Sequence, residues 1–536
     1  MRKSLASTIK KALACLMACL AAASLCACGK GVKPAPAETP APSLSPEATA
    51  APEQGGILRM PIPVNAPRSD PMNVNTKEML YLFSLIYEPL LNVGPAGELE
   101  PCLCESWVSE GNGLWLLRLR EGVRWHDGSA LKTEDVISSY NALAAMEGGH
   151  YKPCLTHITG MSAAGPSSLR VQFDIPGMAA LYALSFPIKK AAPMMGTGSY
   201  MLEYSDDSSV ILRVNENWWD RRPYIDRIIF EERDNNTTAL ASFEAGQFDL
   251  VPTDILTAGR YFESGVSNVF DIMTQGMETL MFNDSAAALK DVRIRLAIAH
   301  AIDRTRIITN VYSNRARAAD VPFAPDNWLY DTRSAVFNYD PDVSKELIAE
   351  AGYTVMSKEG LLYSKAGGNL YVRLLTSATT DNTVRSDAAA VIAENLTEIG
   401  FMVEIVTAPH TLGDPESEFV KALAEGNWEI ALVGFNLGFG CELSDYLEPE
   451  GANNYGHFSI PETSALAKAL MNAENEEELR EAAYTFQGSF VENVPFITLY
   501  FRLNSLICSA ALKGTENARE PYLFANEKDW YLKKAQ

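Results

Sequence analysis

An α/β protein of two or three domains is the expected architecture, on three observations. At 536 residues the chain is too long for a single hydrophobic core. Its composition, 47% hydrophobic and 9% aromatic, is that of a chain that folds. Its second half alternates short apolar runs with stretches of helical period, the pattern of βα units. The organising stretch is 276–308. GMETLMF, residues 276–282, reads as a strand, a small polar turn follows, and then Val292, Leu296, Ile298, Ala299 and Ile302 recur at helical spacing. Asp291 is placed to take the free amides of that helix's first turn, and Arg304 and Arg306 lie near its far end, where cations suit the helix dipole.

The formal charge of −22 argues against nucleic acid and anionic lipid headgroups as partners. Residues 1–27 read as a targeting segment: Arg2, Lys3, Lys10 and Lys11 are basic, and 12–25 is apolar but short for a bilayer span. Leu25-Cys26-Ala27-Cys28-Gly29 resembles a bacterial lipobox, which implies cleavage before Cys28 and lipid on its thiol. Residues 28–55 are rich in Pro, Ala, Ser and Thr with almost no large apolar side chain, so they cannot offset their ordering entropy. They are expected to form a disordered tether reaching about 50–80 Å. With the leader removed and Cys28 lipidated, Cys102, Cys104, Cys154, Cys441 and Cys508 remain, an odd number with no disulfide framework. Cys102 and Cys104 read as small buried apolar residues.

In chain order, 56–65 reads as a strand and 72–91 as a helix. Leu116–Leu119 is a strand, and Thr133 is positioned to cap the next helix through its hydroxyl, with Glu134 and Asp135 at the positive end. Strands at 168–173, 201–204, 210–214 and 227–231 alternate with helices at 178–184 and 237–245. Past the organising stretch, Asp340 precedes a helix over 343–350 that stops at Gly352. Then come a strand at 370–376, a helix at 384–398, a strand at 400–406, a helix at 419–424 and a strand at 428–435. A helix at 476–492 and a strand at 495–502 complete the pass. This alternation predicts a mostly parallel sheet with helices on both faces.

Few residues suggest chemistry. His126-Asp127 lies in a turn packed by Trp125, with no nucleophile motif beside it. His150, Cys154 and His157 are metal-ligand types within eight residues, but their spacing fits no known zinc or nickel signature. Gly196-Thr-Gly-Ser-Tyr200 lacks the lysine and the following helix of a phosphate loop. There is no G-x-S-x-G, H-E-x-x-H or paired-acid motif, so neither an enzyme nor a cofactor is expected.

Several motifs fall in an order that resembles one family. They are Ile86-Tyr-Glu-Pro-Leu-Leu91, Gly97-Glu-Leu-Glu-Pro101, the Arg120–Gly128 turn, Gly196–Tyr200, Asn217-Trp-Trp219 with Pro223–Asp226, Gly246–Asp249, and Phe282-Asn283 followed by Asp291-x-Arg-x-Arg-x-Ala and Ala301-Ile-Asp-Arg304. From about Gly56 to the C-terminus the chain resembles the family 5 extracellular solute-binding proteins, the peptide and nickel receptors of ABC importers. The resemblance implies a bilobal periplasmic-binding-protein-like fold: two α/β lobes, an extra β-rich subdomain and a two-strand hinge. It places the first lobe in 56–87, 187–282 and 495–536, the subdomain in 88–186 and the second lobe in 283–494. It implies a monomeric receptor that shuts over an oligopeptide-like ligand and docks on permease subunits at the outer face of the bacterial membrane. In that family an aspartate in the loop after the strand matching 428–435 commonly receives the peptide amine. Here its place falls near Gly438, so either Glu442 or Asp445 supplies the charge or the ligand lacks a free amine. The expected contacts are Asn65, Tyr87, Met277, Glu278, Asn436, Phe439, Cys441 and Asp445. A nickel or metallophore receptor on the same fold, with His150, Cys154 and His157 as candidate ligands, and an extracellular hydrolase or structural lipoprotein are the alternatives.

Overall fold

The computed structural model describes residues 52–533, apart from 75, 262–266, 335–336, 359, 365, 380–381, 412–413 and 439, and the side chain of 259. The expected leader, Cys28, most of the tether and Phe439 therefore lie outside the described residues.

The chain opens with β1 (Ile57–Pro63), whose alternate residues Leu58, Met60 and Ile62 are buried. Helix α1 (Lys77–Ile86) is shorter than its apolar run suggests, because Thr76 accepts from the Met79 amide and starts it. Strands β2 (Cys104–Gly111) and β3 (Leu114–Leu119), helix α2 (Thr133–Ala144), and strands β4 (Ile158–Gly165) and β5 (Ser168–Phe173) follow. Thr133 does not cap α2. It is the first helical residue, Lys132 holds the cap position, and the Asp135 carboxylate reaches back to the Lys132 amide at 2.9 Å and also accepts from the Trp125 indole. A 3-10 helix covers Met178–Leu184. Next are β6 (Tyr200–Ser205), β7 (Ser209–Val214), β8 (Arg227–Arg233), α3 (Asn236–Glu244) and β9 (Leu250–Thr253).

Strand β10 (Ser267–Phe282) is 16 residues long and leads into α4 (Val292–Ala301), which Asp291 caps as expected by accepting from the Arg293 amide. The helix does not run on to Ile308. It stops at Ile302, and Asp303 caps a separate α5 (Arg304–Asn310), so Arg304 begins a helix and is buried against Asp320 at 2.7 Å. Helix α6 (Pro341–Glu350) starts on Asp340 and is followed by Gly352 at φ +95°, a conformation open to glycine at little cost. Then come β11 (Tyr371–Ala378), α7 (Val384–Glu398), β12 (Met402–Pro409), α8 (Glu418–Glu425), β13 (Ile430–Asn436), α9 (Pro461–Leu470), α10 (Glu476–Asn493) and β14 (Ile497–Ser509).

Three main sheets result. One has the order β1-β8-β7-β6, a second β2-β3-β5-β4, and the largest β9-β14-β10-β13-β11-β12, with a short strand Ala316–Ala318 also on β14. The largest is not mostly parallel. Only β13, β11 and β12 are mutually parallel, while β9, β14, β10 and β13 pair antiparallel. The reason is that β10 and β14 do not belong to βα units. They are long strands shared by two apolar cores. Ile272 of β10 and Leu506 and Cys508 of β14 pack in one core with β1, α1 and β8. Leu280 and Phe282, with Ile497, Leu499 and Tyr500, pack in the other with α4, α7 and β11. At roughly 3.3 Å per residue each strand is long enough to cross from core to core.

A third core bridges the two sides. It joins Leu117, Val171 and Leu181 to Leu437, Cys441, Leu470 and Phe486. The Gly177 and Met178 amides donate to the Met471 and Ala473 carbonyls at 2.9 and 2.7 Å, and the Trp328 amide donates to the Ala96 carbonyl at 2.8 Å.

Candidate functional site

Strands β1 and β8 pair in parallel, as do β11, β12 and β13, and in open α/β sheets ligands sit beyond the carboxyl ends of parallel strands. Of these, β13 ends at Asn436, paired with Gly276 inside the crossing strand β10, where the two cores give way to polar residues. Glu278 of β10 is 1% exposed there. It pairs in the sheet with Gly434 and Tyr500. Arg385, in the first turn of α7, grips its carboxylate with two parallel bonds, Nε to Oε2 and Nη2 to Oε1, both 2.9 Å, and donates from Nη1 to the Ser377 hydroxyl at 2.8 Å.

Arg502 of β14 stands on the other side of Glu278, 3.6 Å from Oε1, with its side chain 43% exposed. Glycines make room for these guanidinium groups. A Cβ on Gly276 would lie 2.7 Å from Arg502 Nε, and one on Gly434 would lie 2.6 Å from Glu278 Oε1. Burial alone would raise the Glu278 carboxyl, but the Arg385 charge and its hydrogen bonds, with Arg502 adding, hold it below the ordinary glutamate value. Arg385 is correspondingly raised despite its own burial. Tyr312 and Tyr500 stand edge to face over the pair with centroids 4.8 Å apart.

The expected contacts distribute unevenly around this centre. Sheet pairing brings Met277, Glu278 and Asn436 together, since Gly276 lies opposite Asn436 and Met277 opposite Phe435. Successive strand residues face opposite ways, so Met277 enters the bridging core while Glu278 meets the two arginines. Asn436 is exposed, as is Asp445 in the loop beyond it. Asn65 is exposed just past β1 with φ +57°, its amide donating to Glu232. Tyr87 is buried in the first core, edge-on to Phe83. Cys441 is buried in the bridging core, and a Cβ on the neighbouring Gly440 would lie 3.7 Å from both the Ala179 carbonyl and Tyr182 Cβ. Tyr87, Met277 and Cys441 thus present packed surfaces. Glu442 accepts from the Ser444 amide and lies 3.7 Å from the His157 ring, leaving Asp445 as the outward carboxylate of this loop.

His150, Cys154 and His157 do not converge. His150 stands edge-on to Tyr151, the Cys154 thiol is pushed up to about 11 by burial and bonds Ser185, and His157 Nδ1 is 2.8 Å from Asp174. Among the described residues no group of three His, Cys, Asp or Glu side chains could hold a metal ion.

Arg385 and Arg502 were not singled out from the sequence. A signal for Arg502 was available, a lone charge inside the apolar run ITLYFRL. None was available for Arg385, which meets Glu278 across 107 positions of chain.

Two α/β cores are thus joined by two crossing strands, with a buried charged centre where they meet. The comparisons supply the family. Residues 98–448 match the profile of the bacterial extracellular solute-binding proteins, family 5 Middle, and the chain belongs to that family. It is similar to the oligopeptide-binding protein AppA of Bacillus subtilis, 24% identical over 525 residues and covering 90% of this chain and 93% of that one. It is also similar to the nickel-binding periplasmic protein of Escherichia coli, 25% identical over 396 residues, 68% of this chain and 72% of that one. Among solved structures, HbpA2 from Haemophilus parasuis superposes with a TM-score of 0.77 at 18% identity, covering 89% of this chain and all of that one. Family 5 proteins are transport receptors of ABC importers rather than enzymes. Among the described residues no helix is long and apolar enough to cross a membrane.

Proposed function

We propose that this receptor captures an oligopeptide-like ligand between its lobes and delivers it unaltered to an ABC permease. In this reading a lipid on Cys28 and the 28–55 tether hold a monomer at the outer face of the bacterial membrane. The lobes are 56–87, 187–282 and 495–536 against 283–494, with 88–186 as the subdomain. The observation that carries the proposal is the Glu278–Arg385–Arg502 centre on the crossing strands. Arg385 is engaged by Glu278 and Ser377, whereas the half-exposed Arg502 keeps donors for a ligand carboxylate, which a guanidinium fork suits. Asp445, outward in its loop, suits the ammonium end, and Asn65 and Asn436 suit main-chain groups between. A ligand touching both sides binds the shut form better than the open one, and that difference drives closure. Because His150, Cys154 and His157 lie apart, no cluster of theirs supports a metal ligand.

The test is native mass spectrometry of the freshly purified chain to identify co-purified ligand. Calorimetry then compares the matching peptide with its C-terminal amide. Arg502→Ala is expected to weaken the free acid about tenfold or more and the amide hardly at all, in line with a lost charge-assisted hydrogen bond. Equal losses for both, or no bound peptide, would defeat the reading.

A further inference from the structure

A separate enclosed space lies away from the crossing strands. A cavity of about 210 Å³ opens among Phe83, Glu88, Tyr151, Trp218, Trp219 and Glu527, and none of its lining residues comes from 283–494. It is therefore built without the second lobe. An apolar cavity of about 150 Å³ holds benzene, so this one admits a single ring with a short arm and nothing the size of a peptide.

Its walls are aromatic and its charge is negative. Glu88, 6% exposed, accepts the Trp218 indole N–H at 3.0 Å and the Trp219 N–H at 2.9 and 3.1 Å. Glu527 accepts the Ser199 hydroxyl at 2.5 Å. These bonds supply donors but no opposite charge. Lys528, the one lysine lining the cavity, is already paired with Asp220. Among the described residues no Lys, Arg or His forms an ion pair with Glu88, Glu100 or Glu527. A buried carboxylate without an ion-pair partner is costly. The indoles turn their N–H edges to Glu88, the Arg120 guanidinium lies over the Trp219 ring at 4.3 Å, and Lys528 attracts Glu527 and Glu100 without pairing with them. The Trp218 and Tyr151 rings line the same space, and aromatic rings beside a carboxylate suit an organic ammonium ion. With no three-ligand metal cluster among the described residues, the cation that fits is organic.

We infer that this cavity is a second binding site, for a small ring-bearing ammonium ion held by Glu88 and Glu527 between Trp218, Trp219 and Tyr151. It stands whether or not the interlobe reading does.

The site carries a pH signature. Burial raises Glu88 and Glu527 to about 7 each. Of the other charged groups near them, Glu100 and Asp220 add negative charge, Lys528 is paired with Asp220 while still attracting Glu527 and Glu100, and Arg120 lies over the Trp219 ring. Burial lowers His150, which favours its neutral form, and raises Cys102, which keeps it a thiol. A cation needs the carboxylates ionised, so binding releases protons and tightens as the pH rises through 7.

The test titrates the purified chain with 2-phenylethylammonium at pH 6 and pH 8, following tryptophan fluorescence and heat. The uncharged 2-phenylethanol is the control. Saturable binding is expected at pH 8 and about tenfold or more weaker binding at pH 6, since affinity scales with the ionised fraction. Glu527→Gln is expected to weaken binding at least about tenfold with no loss of thermal midpoint, because the amide removes a costly buried charge, and the alcohol is expected not to saturate. Glu527 is the position to change because Glu88 also anchors two indoles. No saturation at either pH, equal binding of the alcohol, pH-independent affinity, or an unaffected Glu527→Gln would each overturn the inference.

Discussion

Arg385→Met removes the partner that makes Glu278 tolerable in its buried position. Both oxygens of that carboxylate are bonded by Arg385 at 2.9 Å, and the remaining cation, Arg502, is 3.6 Å away. Breaking a buried pair by removing one side costs about 3–5 kcal/mol. Arg385 is 21% exposed and Arg502 covers part of the charge, so the lower end, about 3 kcal/mol, is expected. The assay is hydrogen exchange of amides in 276–282 and 430–436, which reports opening of this sheet directly and does not need two-state unfolding. Exchange there is expected to speed up roughly 150-fold, the equivalent of about 3 kcal/mol. The double variant Glu278→Gln with Arg385→Met removes both charges and is expected to recover more than half of the loss. The pH dependence has a definite sign. In the parent chain the folded carboxyl lies below its ordinary 4.5, so its contribution is present above that value and is lost as the pH falls through the lower folded one. In Arg385→Met burial raises the folded value instead, so the defect grows as the pH rises from 4.5 toward 8. A change in exchange under about fivefold, or a defect equal at pH 5 and pH 8, refutes the reasoning.

Gly434→Ala places a methyl against Arg385 and Glu278 Oε1, and is expected to lower stability by about 1–3 kcal/mol in denaturant titrations. Asp340→Ala removes the acceptor of the Asp342 and Val343 amides at 3.1 and 3.0 Å, and is expected to cost about 1 kcal/mol, read as local exchange in α6. Cys28→Ser is expected to abolish incorporation of labelled fatty acid and release the chain from membranes, while ligand affinity is unchanged.

Much of the fold was legible because its signals are local. The cap at Asp291, the Asp340–Gly352 helix and α7, expected at 384–398 and found there, each rest on short-range pattern and capping. Failures came where a distant partner overrode a local signal. Lys132, not Thr133, holds the cap of α2, and the Asp135 carboxylate that bonds its amide also holds Trp125. The helix after Asp291 breaks at the extended Ile302, where Asp303 caps a new helix whose first residue, Arg304, pairs with the distant Asp320. Apolar runs at β10 and β14 resemble βα strands in isolation, and only pairing reveals them as antiparallel strands between two cores. At the candidate site, Glu278 was visible as a charge inside GMETLMF. Its arginines were not, because a bond across the chain leaves no periodicity.

The central claim is that one ligand touches both halves and leaves unchanged. Hydrogen exchange of the whole chain, with and without a defined pool of free-ended dipeptides to nonapeptides, measures this directly when the peptides are recovered and weighed afterwards. Simultaneous protection of 57–66 and 430–445, with every peptide mass intact, is the predicted result. Protection confined to one half, or peptides recovered as fragments, would contradict it.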